Sequence, residues 1–298
     1  MRSAYFYRVD VWGTKERFVK EALDLGVELV PIRYRGLSVK QENGDWQIYF
    51  KKQALTEFDL FYFRAVGNEL EWSKLLTLYA KKEGIPVVDE YLFTHGALRR
   101  FKAVAGVMME EAGVSCPKTI FVESVYRLRM ELKNWDFPVV VKLSQGGRHG
   151  MGTFWIRTEE DVEEMIEKAK DKDGKQMRGY LIQPYIPNDG DYRLFVVGYK
   201  TLGGYKRMPK EEKVVMNKSM GKSVGLSDIP EDVVREAEKA CKALKVEVAG
   251  VDLVRDMKTG KVYVIEVNEA AEYTIFEKRT KKNAVKAVVE HLVKRKEK

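Results

Sequence analysis

The sequence predicts an α/β and α+β protein, in which an open α/β domain is followed by two α+β lobes. Three observations predict it. Over the first ninety or so residues, short apolar strands alternate with amphipathic helices, the pattern of one sheet with helical connections. Beyond that stretch, strands follow one another in pairs around a glycine-rich loop. The chain has 298 residues, room for two to three domains at roughly 100–150 residues each. The expected division is 1–94, 95–186 and 187–298.

Tyr5 to Val9 reads as a first strand, rich in aromatic and β-branched residues. Thr14 is placed to cap a helix that carries Phe18, Ala22 and Leu25 on one face and stops at Gly26. Val27 to Ile32 is a second strand, and Asn43-Gly44 is a hairpin turn ahead of Trp46 to Phe50. Asp59 to Arg64 is almost continuously apolar, as expected of a strand buried on both faces. A helix over 69–83 ends at Gly84, and Ile85 to Val88 is a core strand. This layout is Rossmann-like, but no Gly-x-Gly-x-x-Gly is present, so no dinucleotide site is expected.

Next come a helix over 97–112, strands at 119–122 and 137–142, and a helix near 125–133 between them. The loop 143–152 leads into strand 153–156, and Thr158 with Asp161 predicts a capped helix. Tyr180 to Pro187 is a strand closed by prolines and a candidate hinge. Strands at 192–197 and 201–207, a loop over 208–227, and a helix over 231–244 follow, with Pro230 near the helix's first turn. Strands 248–255 and 261–267 and one terminal helix complete the chain.

Composition excludes several classes. No apolar run approaches the ~18–20 residues of a membrane span, and charges interrupt the first ten residues where a signal peptide would be apolar. The two cysteines, Cys116 and Cys241, form no Cys-x-x-Cys, which suits a reducing cytoplasm and neither a disulfide framework nor a cysteine zinc site. The net charge is +8, and residues 277–298 hold nine basic and three acidic side chains, +6 of that total. A basic helix end complements the helix dipole. The sharper reading is a docking patch for an acidic or nucleic-acid-bearing partner.

Three constellations carry chemistry. Lys142 ends an apolar strand, and Gly146, Gly147, Gly150 and Gly152 follow. Glycines let backbone N–H groups approach an anion, and the lysine adds a charge, which suits phosphates. The bland alternative is a flexible hairpin tip. No Gly-Lys-Ser/Thr opens a helix here, so this is not a Walker loop. In the second, Val248 to Arg255 and Lys261 to Asn268 flank Asp256-Met-Lys-Thr-Gly260, a hairpin. If Arg255 faces Lys261, then Asp252 faces Val264, and Val264, Glu266, Asn268 and Asp252 share a face. Asp252 and Glu266 become diagonal neighbours at roughly 7–8 Å. Such hard oxygen donors suit magnesium or manganese bridging phosphates; the alternative is a solvated face with ordinary acids. Glu247 falls on the opposite face by the same parity. The third set is cationic: Arg193, then Lys206-Arg207, with Asn217 in the loop beyond. Basic groups so placed can neutralise a phosphoryl group in transfer. Arg64, ending its strand, would sit at the carboxyl edge where open α/β sheets bind ligands. There it would face an acidic substrate group or simply cap the strand.

In this order, Lys102, Lys142 before the glycine loop, Gln183-Pro-Tyr-Ile186, Asp191-Tyr-Arg193, Lys206-Arg207, Ala249-Gly-Val-Asp252 and Ile265-Glu-Val-Asn268 resemble the ATP-grasp superfamily. The nearest likeness is to the RimK-like carboxylate–amine ligases. After Asn268, Glu269-Ala-Ala-Glu-Tyr273 is similar to the Asn-x-x-x-Glu-Phe of LysX-type carrier-protein ligases. The resemblance implies an ATP-grasp fold behind an N-terminal Rossmann-like (pre-ATP-grasp) domain. It also implies ATP with Mg2+ or Mn2+. Lys102, Lys142, Gly146, Gly147 and Gly150 would hold the phosphates, Gln183, Tyr185 and Ile186 the adenine, and Asp191 the ribose, with Lys206 also on the nucleotide. Asp252, Glu266 and Asn268 would hold the metal, and Arg193, Arg207 and Asn217 would surround the transferred phosphoryl group. Arg64 and Glu272 would lie at the substrate end.

The expected activity is an ADP-forming ligation of a carboxylate and an amine through an acyl phosphate. The ligase would add an amino acid to a protein, carrier protein, coenzyme or peptide, and a homo-oligomer is left open. The rival readings are a non-catalytic ATP- or nucleic-acid-associated binding protein, supported by the basic terminal segment, and an ATP-grasp enzyme with a non-amine acceptor.

Overall fold

The computed structural model describes residues 1–8, 13–64, 66–94, 96, 101–144, 152–171, 173–208 and 223–296. In the N-terminal part, β1 (Arg2–Tyr7), α1 (Thr14–Asp24), β2 (Glu28–Arg33), β3 (Leu37–Glu42), β4 (Asp45–Phe50), β5 (Gln53–Ala54), β6 (Leu60–Phe63), α2 (Leu70–Glu83) and β7 (Val87–Val88) follow in order. Four of the strands form a parallel sheet in the order β2-β1-β6-β7. Alternation along the strands divides their side chains between two cores. Ala4, Phe6, Phe61 and Phe63 pack with Leu76 and Tyr79 of α2, while Tyr5, Tyr7, Leu60 and Tyr62 pack with Phe18 and Ala22 of α1. The Asn43-Gly44 turn joins β3 to β4 with both residues at positive φ, 53° and 79°, which matches the twist of the paired strands. Gly13, at φ 62°, occupies the N-cap of α1. Thr14 is therefore the first helical residue rather than the cap, because the left-handed position before it costs glycine little.

α3 (Tyr91–Thr94) and α4 (Lys102–Glu111) lead to an antiparallel sheet, order β10-β9-β11-β8, built from β8 (Ile120–Val122), β9 (Val139–Leu143), β10 (Thr153–Ile156) and β11 (Tyr180–Pro184). One face of this sheet buries Val139, Val141, Leu143 and Ile182 against α5 (Val125–Leu132) and α6 (Glu159–Lys168). The expected cap of α6 is present as a full capping box between Thr158 and Asp161.

The last sheet is antiparallel, order β14-β13-β12-β15-β16, from β12 (Asp191–Val197), β13 (Lys200–Arg207), β14 (Ser223–Gly225), β15 (Val248–Arg255) and β16 (Val262–Asn268). Leu194, Val196, Val251 and Leu253 face α7 (Glu231–Ala243). The other face meets α8 (Tyr273–Thr280) and α9 (Ala284–Lys296), where Phe195, Tyr205 and Val248 pack with Phe276 and Val288. The single terminal helix expected from sequence is two helices. Lys281 turns left-handed at φ 60°, and the Asn283 carboxamide oxygen accepts from Lys286 N at 2.9 Å to start the second.

α9 packs back on α1 and β6. Its basic end is partly spent inside the molecule: Arg295 reaches Glu247 at 3.0 Å and Glu90 at 2.5 Å, and Lys296 reaches Asp59 at 2.8 Å. Glu247 does not lie on the far face. It precedes β15, is 1% exposed, and also meets His291 Nε2 at 2.7 Å. The two cysteines form no disulfide, and burial pushes the Cys116 thiol up to about 11. Among the described residues, no helix is long and apolar enough to cross a membrane.

Candidate active site

The site is one face of the C-terminal sheet. In β12, Arg193 pairs with Asp252 of β15, which pairs in turn with Glu266 of β16. Asp191 pairs with Arg207 of β13, and Gly250 pairs with Asn268. Cross-strand partners share a face, so Asp191, Arg193, Arg207, Asp252, Glu266 and Asn268 are gathered on one side.

The register that does this differs from the expected one. Arg255 pairs with Val262 rather than Lys261, and a bulge then lets Leu253 pair with Val264 and Asp252 with Glu266. Asp252 and Glu266 are therefore direct neighbours, not diagonal ones, and Val264 is not on their face: it is 1% exposed in the core under α7. The extra residue reverses parity within β16, so that Val264 and Val267 both point to the core while Glu266 and Asn268 point to the site.

Asp252 is the hub. Arg193 Nε lies 2.6 Å from its Oδ1 as an ion pair without hydrogen-bond alignment. Arg207 Nη2 donates to the same oxygen at 2.9 Å, and the Asn268 amide approaches Oδ2 at 3.5 Å. Arg207 Nε also donates to both Asp191 oxygens, at 2.9 and 2.8 Å, and its Nη2 makes a further bond to Oδ2. Burial works against the Arg207 charge, but Asp252 and Asp191 outweigh it and hold the guanidinium above its ordinary value. Gly250 permits this crowding, since a Cβ there would stand 2.8 Å from Arg193 Nη1 and 3.0 Å from the Ala271 Cβ. Glu266, half-buried beside Asp252, has no hydrogen bond or ion pair to a described residue.

The central sheet supplies the facing wall. Lys142 is 8% exposed, and its pKa is pushed down to about 8. Burial is the main cause and Lys102 adds to it, while Glu266 and Asp252 pull the other way. Lys102 Nζ donates to Leu143 O at 3.2 Å. Val140, Trp155 and Gln183 share the Lys142 face by register. Gln183 Nε2 donates to Thr119 Oγ1 at 2.8 Å, and the Tyr185 ring lies 5.9 Å from Trp155. Tyr185 N donates to Pro138 O at 3.2 Å, and Ile186 O accepts from Asn188 at 2.8 Å. Trp155, whose buried indole N–H has no hydrogen-bond partner among the described residues, was not singled out from sequence. Its place on the Lys142 face was readable from the parity of strands 137–142 and 153–156.

Other expected residues are placed differently. Asp191 is 5% exposed and bound to Arg207 within the cluster. Lys206 alternates to the opposite face from Arg207, where it pairs with Asp189 at 2.7 Å and lies 5.2 Å over the Tyr192 ring. Arg64 is turned onto the C-terminal lobe: Nη2 donates to Ala271 O at 2.6 Å, and the guanidinium lies 4.3 Å over Tyr273. Tyr273 stands in the sequence at the Phe position of the Asn-x-x-x-Glu-Phe likeness, but nothing in the sequence signalled its contact with Arg64. Glu272 occupies the N-cap position of α8. Gly146, Gly147, Gly150 and Asn217 lie outside the described residues.

Asp252, Glu266 and Asn268 bring two carboxylates and an amide to one face, and Glu266 has no hydrogen bond or ion pair among the described residues. That hard-oxygen donor set fits magnesium. Among the described residues, no three His, Cys, Asp or Glu side chains form a metal cage, so a cation here would share its coordination with phosphates, as magnesium commonly does.

Residues 100–292 match the model of the RimK-like ATP-grasp domain. The chain is 27% identical over 276 residues to a probable alpha-L-glutamate ligase of Marinobacter nauticus, covering 92% of this chain and 89% of that protein. It is 29% identical over 248 residues to one of Cellvibrio japonicus, covering 82% and 79%. Among solved structures, the ATP-grasp ligase PsnB complexed with minimal precursor aligns with TM-score 0.74 at 14% identity over 98% of both chains. A RimK domain ATP-grasp protein from Sphaerobacter thermophilus aligns with TM-score 0.69 at 15% identity, over 98% of this chain and 99% of that one. At these identities the likeness establishes the ATP-grasp fold. With about two thirds of its length matched by the family's own model, the chain belongs to the RimK-like ATP-grasp family of ligases.

Proposed function

We propose that this chain is an ADP-forming carboxylate–amine ligase that makes an amide bond through an acyl phosphate. The observation that carries the reading is the single sheet face where Asp252, Glu266 and Asn268 stand beside Arg193 and Arg207, with buried Lys142 close enough to feel both carboxylates. Acids alone would suit a metal and cations alone an anion. Both together suit a nucleotide triphosphate whose terminal group is transferred.

In this reading, Lys102 and Lys142, with the loop of Gly146, Gly147 and Gly150, hold the phosphates. Gln183, Tyr185 and Ile186 border the adenine, with Trp155 beside them. Asp252, Glu266 and Asn268 would hold magnesium or manganese, which would offset the charge of the phosphates. Arg193 and Arg207 stand where charge grows as the acid's carboxylate oxygen bonds to the γ-phosphorus and ADP leaves. Asp191 and Asp252 fix Arg207 in place, so its guanidinium needs little reorganisation during the step. The amine nitrogen then bonds to the acyl carbon, and inorganic phosphate departs. Asn217 and Glu272 belong to the substrate end. Lys206, tied to Asp189 on the other face, supports the hinge rather than the nucleotide. The names of the relatives favour L-glutamate as the amine, and two cysteines outside any disulfide suit a cytoplasmic setting.

A binding-only role would rest on the basic terminal segment, and Arg295 and Lys296 of that segment are already engaged by Glu247, Glu90 and Asp59. The discriminating experiment is ADP release over a panel of acids and amines. The ligase reading requires release that depends on both substrates together. Tight ATP binding with no release from any pair would return the protein to the binding class.

A further inference from the structure

The row of side chains that joins the metal acids to Arg193 continues one strand further. Glu266 pairs with Asp252, Asp252 with Arg193, and Arg193 with Tyr205 of β13. Cross-strand partners share a face, so Tyr205 stands on the phosphoryl-transfer face, one strand spacing of about 4.8 Å from Arg193. Two residues along β13 in one direction is Arg207, on the same face by alternation. Two residues in the other direction is Gly203, whose row runs on through Phe195 and Gly250. That row is covered by α8 and the turn before it: a Cβ on Gly203 would stand 3.4 Å from Phe276 Cζ, and one on Gly250 3.0 Å from the Ala271 Cβ. Tyr205 therefore marks the seam where the transfer face passes under α8.

The Tyr205 ring is 6% exposed and packs with Phe195 and Phe276. Its hydroxyl is directed at the cluster's charges. Burial raises its pKa, Arg193 and Arg207 pull the other way, and Asp252 and Glu272 reinforce the rise, so the phenol keeps its proton. That hydroxyl makes no hydrogen bond to a described residue. The other donors of the face are committed to each other's acids: Arg207 to Asp191 and Asp252, Arg193 to Asp252, and the Asn268 amide to Asp252. Glu266 is uncommitted, but an ionised carboxylate only accepts. Tyr205 is thus the donor that the cluster does not use for its own cohesion, and a buried O–H without a partner is costly.

We propose that Tyr205 is a further catalytic residue, whose hydroxyl donates to the oxygen of the acid substrate that does not bond to phosphorus. This role rests on the ligase reading. In the first step the other carboxylate oxygen bonds to the γ-phosphorus and ADP leaves, so the oxygen facing Tyr205 loses charge and becomes the acyl carbonyl. In the second step the amine's lone pair forms the bond to the acyl carbon, and the carbonyl π pair moves onto that same oxygen. The pair then returns, the bond from carbon to the phosphate oxygen breaks with its electrons, and the departing phosphate takes one proton from the nitrogen. Tyr205 keeps its proton throughout. Its hydrogen bond strengthens where charge grows on the oxygen, which is the second step and not the first.

The test is a single-turnover rapid-quench reaction with the full chain in excess of radiolabelled ATP, with magnesium and L-glutamate as the amine. The acid is N-acetyl-L-glutamyl-L-glutamate, or any acid of the ADP-release panel that reacts faster. ADP reads the first step and amide the second, within one tube, so their ratio does not depend on the folded fraction. Tyr205→Phe keeps the ring and removes the donor. It should form ADP within about threefold of the wild-type rate, while amide follows about 100-fold more slowly, as for loss of one oxyanion donor, and acyl phosphate accumulates between. Tyr126→Phe, a hydroxyl lost from an exposed position on α5, should change neither rate. Equal slowing of ADP and amide in Tyr205→Phe would make the residue a packing element, and wild-type rates of both would leave its hydroxyl idle; either result overturns the role while the ligase reading stands. A wild-type protein that forms no ADP with any acid of the panel sinks the ligase reading, and this role with it.

Discussion

At the scale of single residues, Asp252 and Glu266 are neighbours with unlike duties. Asp252 neutralises Arg193 and Arg207, whereas Glu266 has no protein partner among the described residues. Glu266→Gln should therefore lower ADP release at least ~100-fold, as misplaced phosphates do, while the melting temperature holds or rises. Asp252→Asn should also abolish turnover but lower the melting temperature, because it leaves two buried guanidinium groups underpaired. The double variant should be no slower than the worse single one. A Glu266→Gln enzyme with wild-type rates would remove the metal assignment. Lys142 yields a pH prediction. In the free protein its pKa is about 8, against 10.5 for an ordinary lysine. The unfolded chain thus binds this proton more tightly, and the Lys142 contribution to stability rises with pH between those values. ATP acts oppositely, because phosphates favour the ammonium. ATP binding above about pH 8 should take up a proton and weaken as pH rises. Calorimetry in buffers of different ionisation enthalpy reads that uptake, which Lys142→Arg should eliminate.

At the scale of elements, the β15–β16 hairpin shows what was legible in the sequence and what was not. Two carboxylates and an amide on one face could be read from the alternation of Val248 to Arg255 and Ile265 to Asn268. The register could not. The turn is one residue wider than the Asp256–Gly260 spacing suggests, and the bulge adds one more, so the two shifts together move the partner of Asp252 from Val264 to Glu266 and restore the expected face at Glu266 but not at Val264. Bulges arise from packing on both faces at once, here α7 below and the site above, and a single strand's pattern does not record that. Glu247 failed for a similar reason: parity was extended one residue past the strand's start, where α9 captures the side chain. The α9 latch gives its own prediction. Glu247→Ala strands His291 and Arg295 around a buried gap and should cost about 3–5 kcal/mol. Chemical denaturation measures that loss, while ADP release at low temperature should stay near wild type. An unchanged midpoint would show that the latch carries no stability.

At the scale of the whole molecule, the three sheets meet around the face that carries Asp252. The N-terminal sheet reaches it through Arg64 and Tyr273, and the central sheet through Lys142. The strand order inside each sheet was not readable, because pairing between distant segments leaves no local pattern, yet the sequence of motifs from Lys102 to Asn268 was enough to indicate the family. ATP with magnesium should stabilise the fold by about 2.7 kcal/mol at a hundredfold excess over its dissociation constant. A melting-temperature rise that Lys142→Ala abolishes would show it, and an equal rise in that variant would remove Lys142 from the phosphate site. The central claim is the acyl phosphate. Its most direct test supplies an acid substrate labelled with 18O in the reacting carboxylate, together with ATP, magnesium and amine, and follows the label by mass spectrometry. Ligation through an acyl phosphate predicts ADP together with inorganic phosphate carrying one 18O, the second remaining in the amide. Unlabelled phosphate, or AMP in place of ADP, would contradict it.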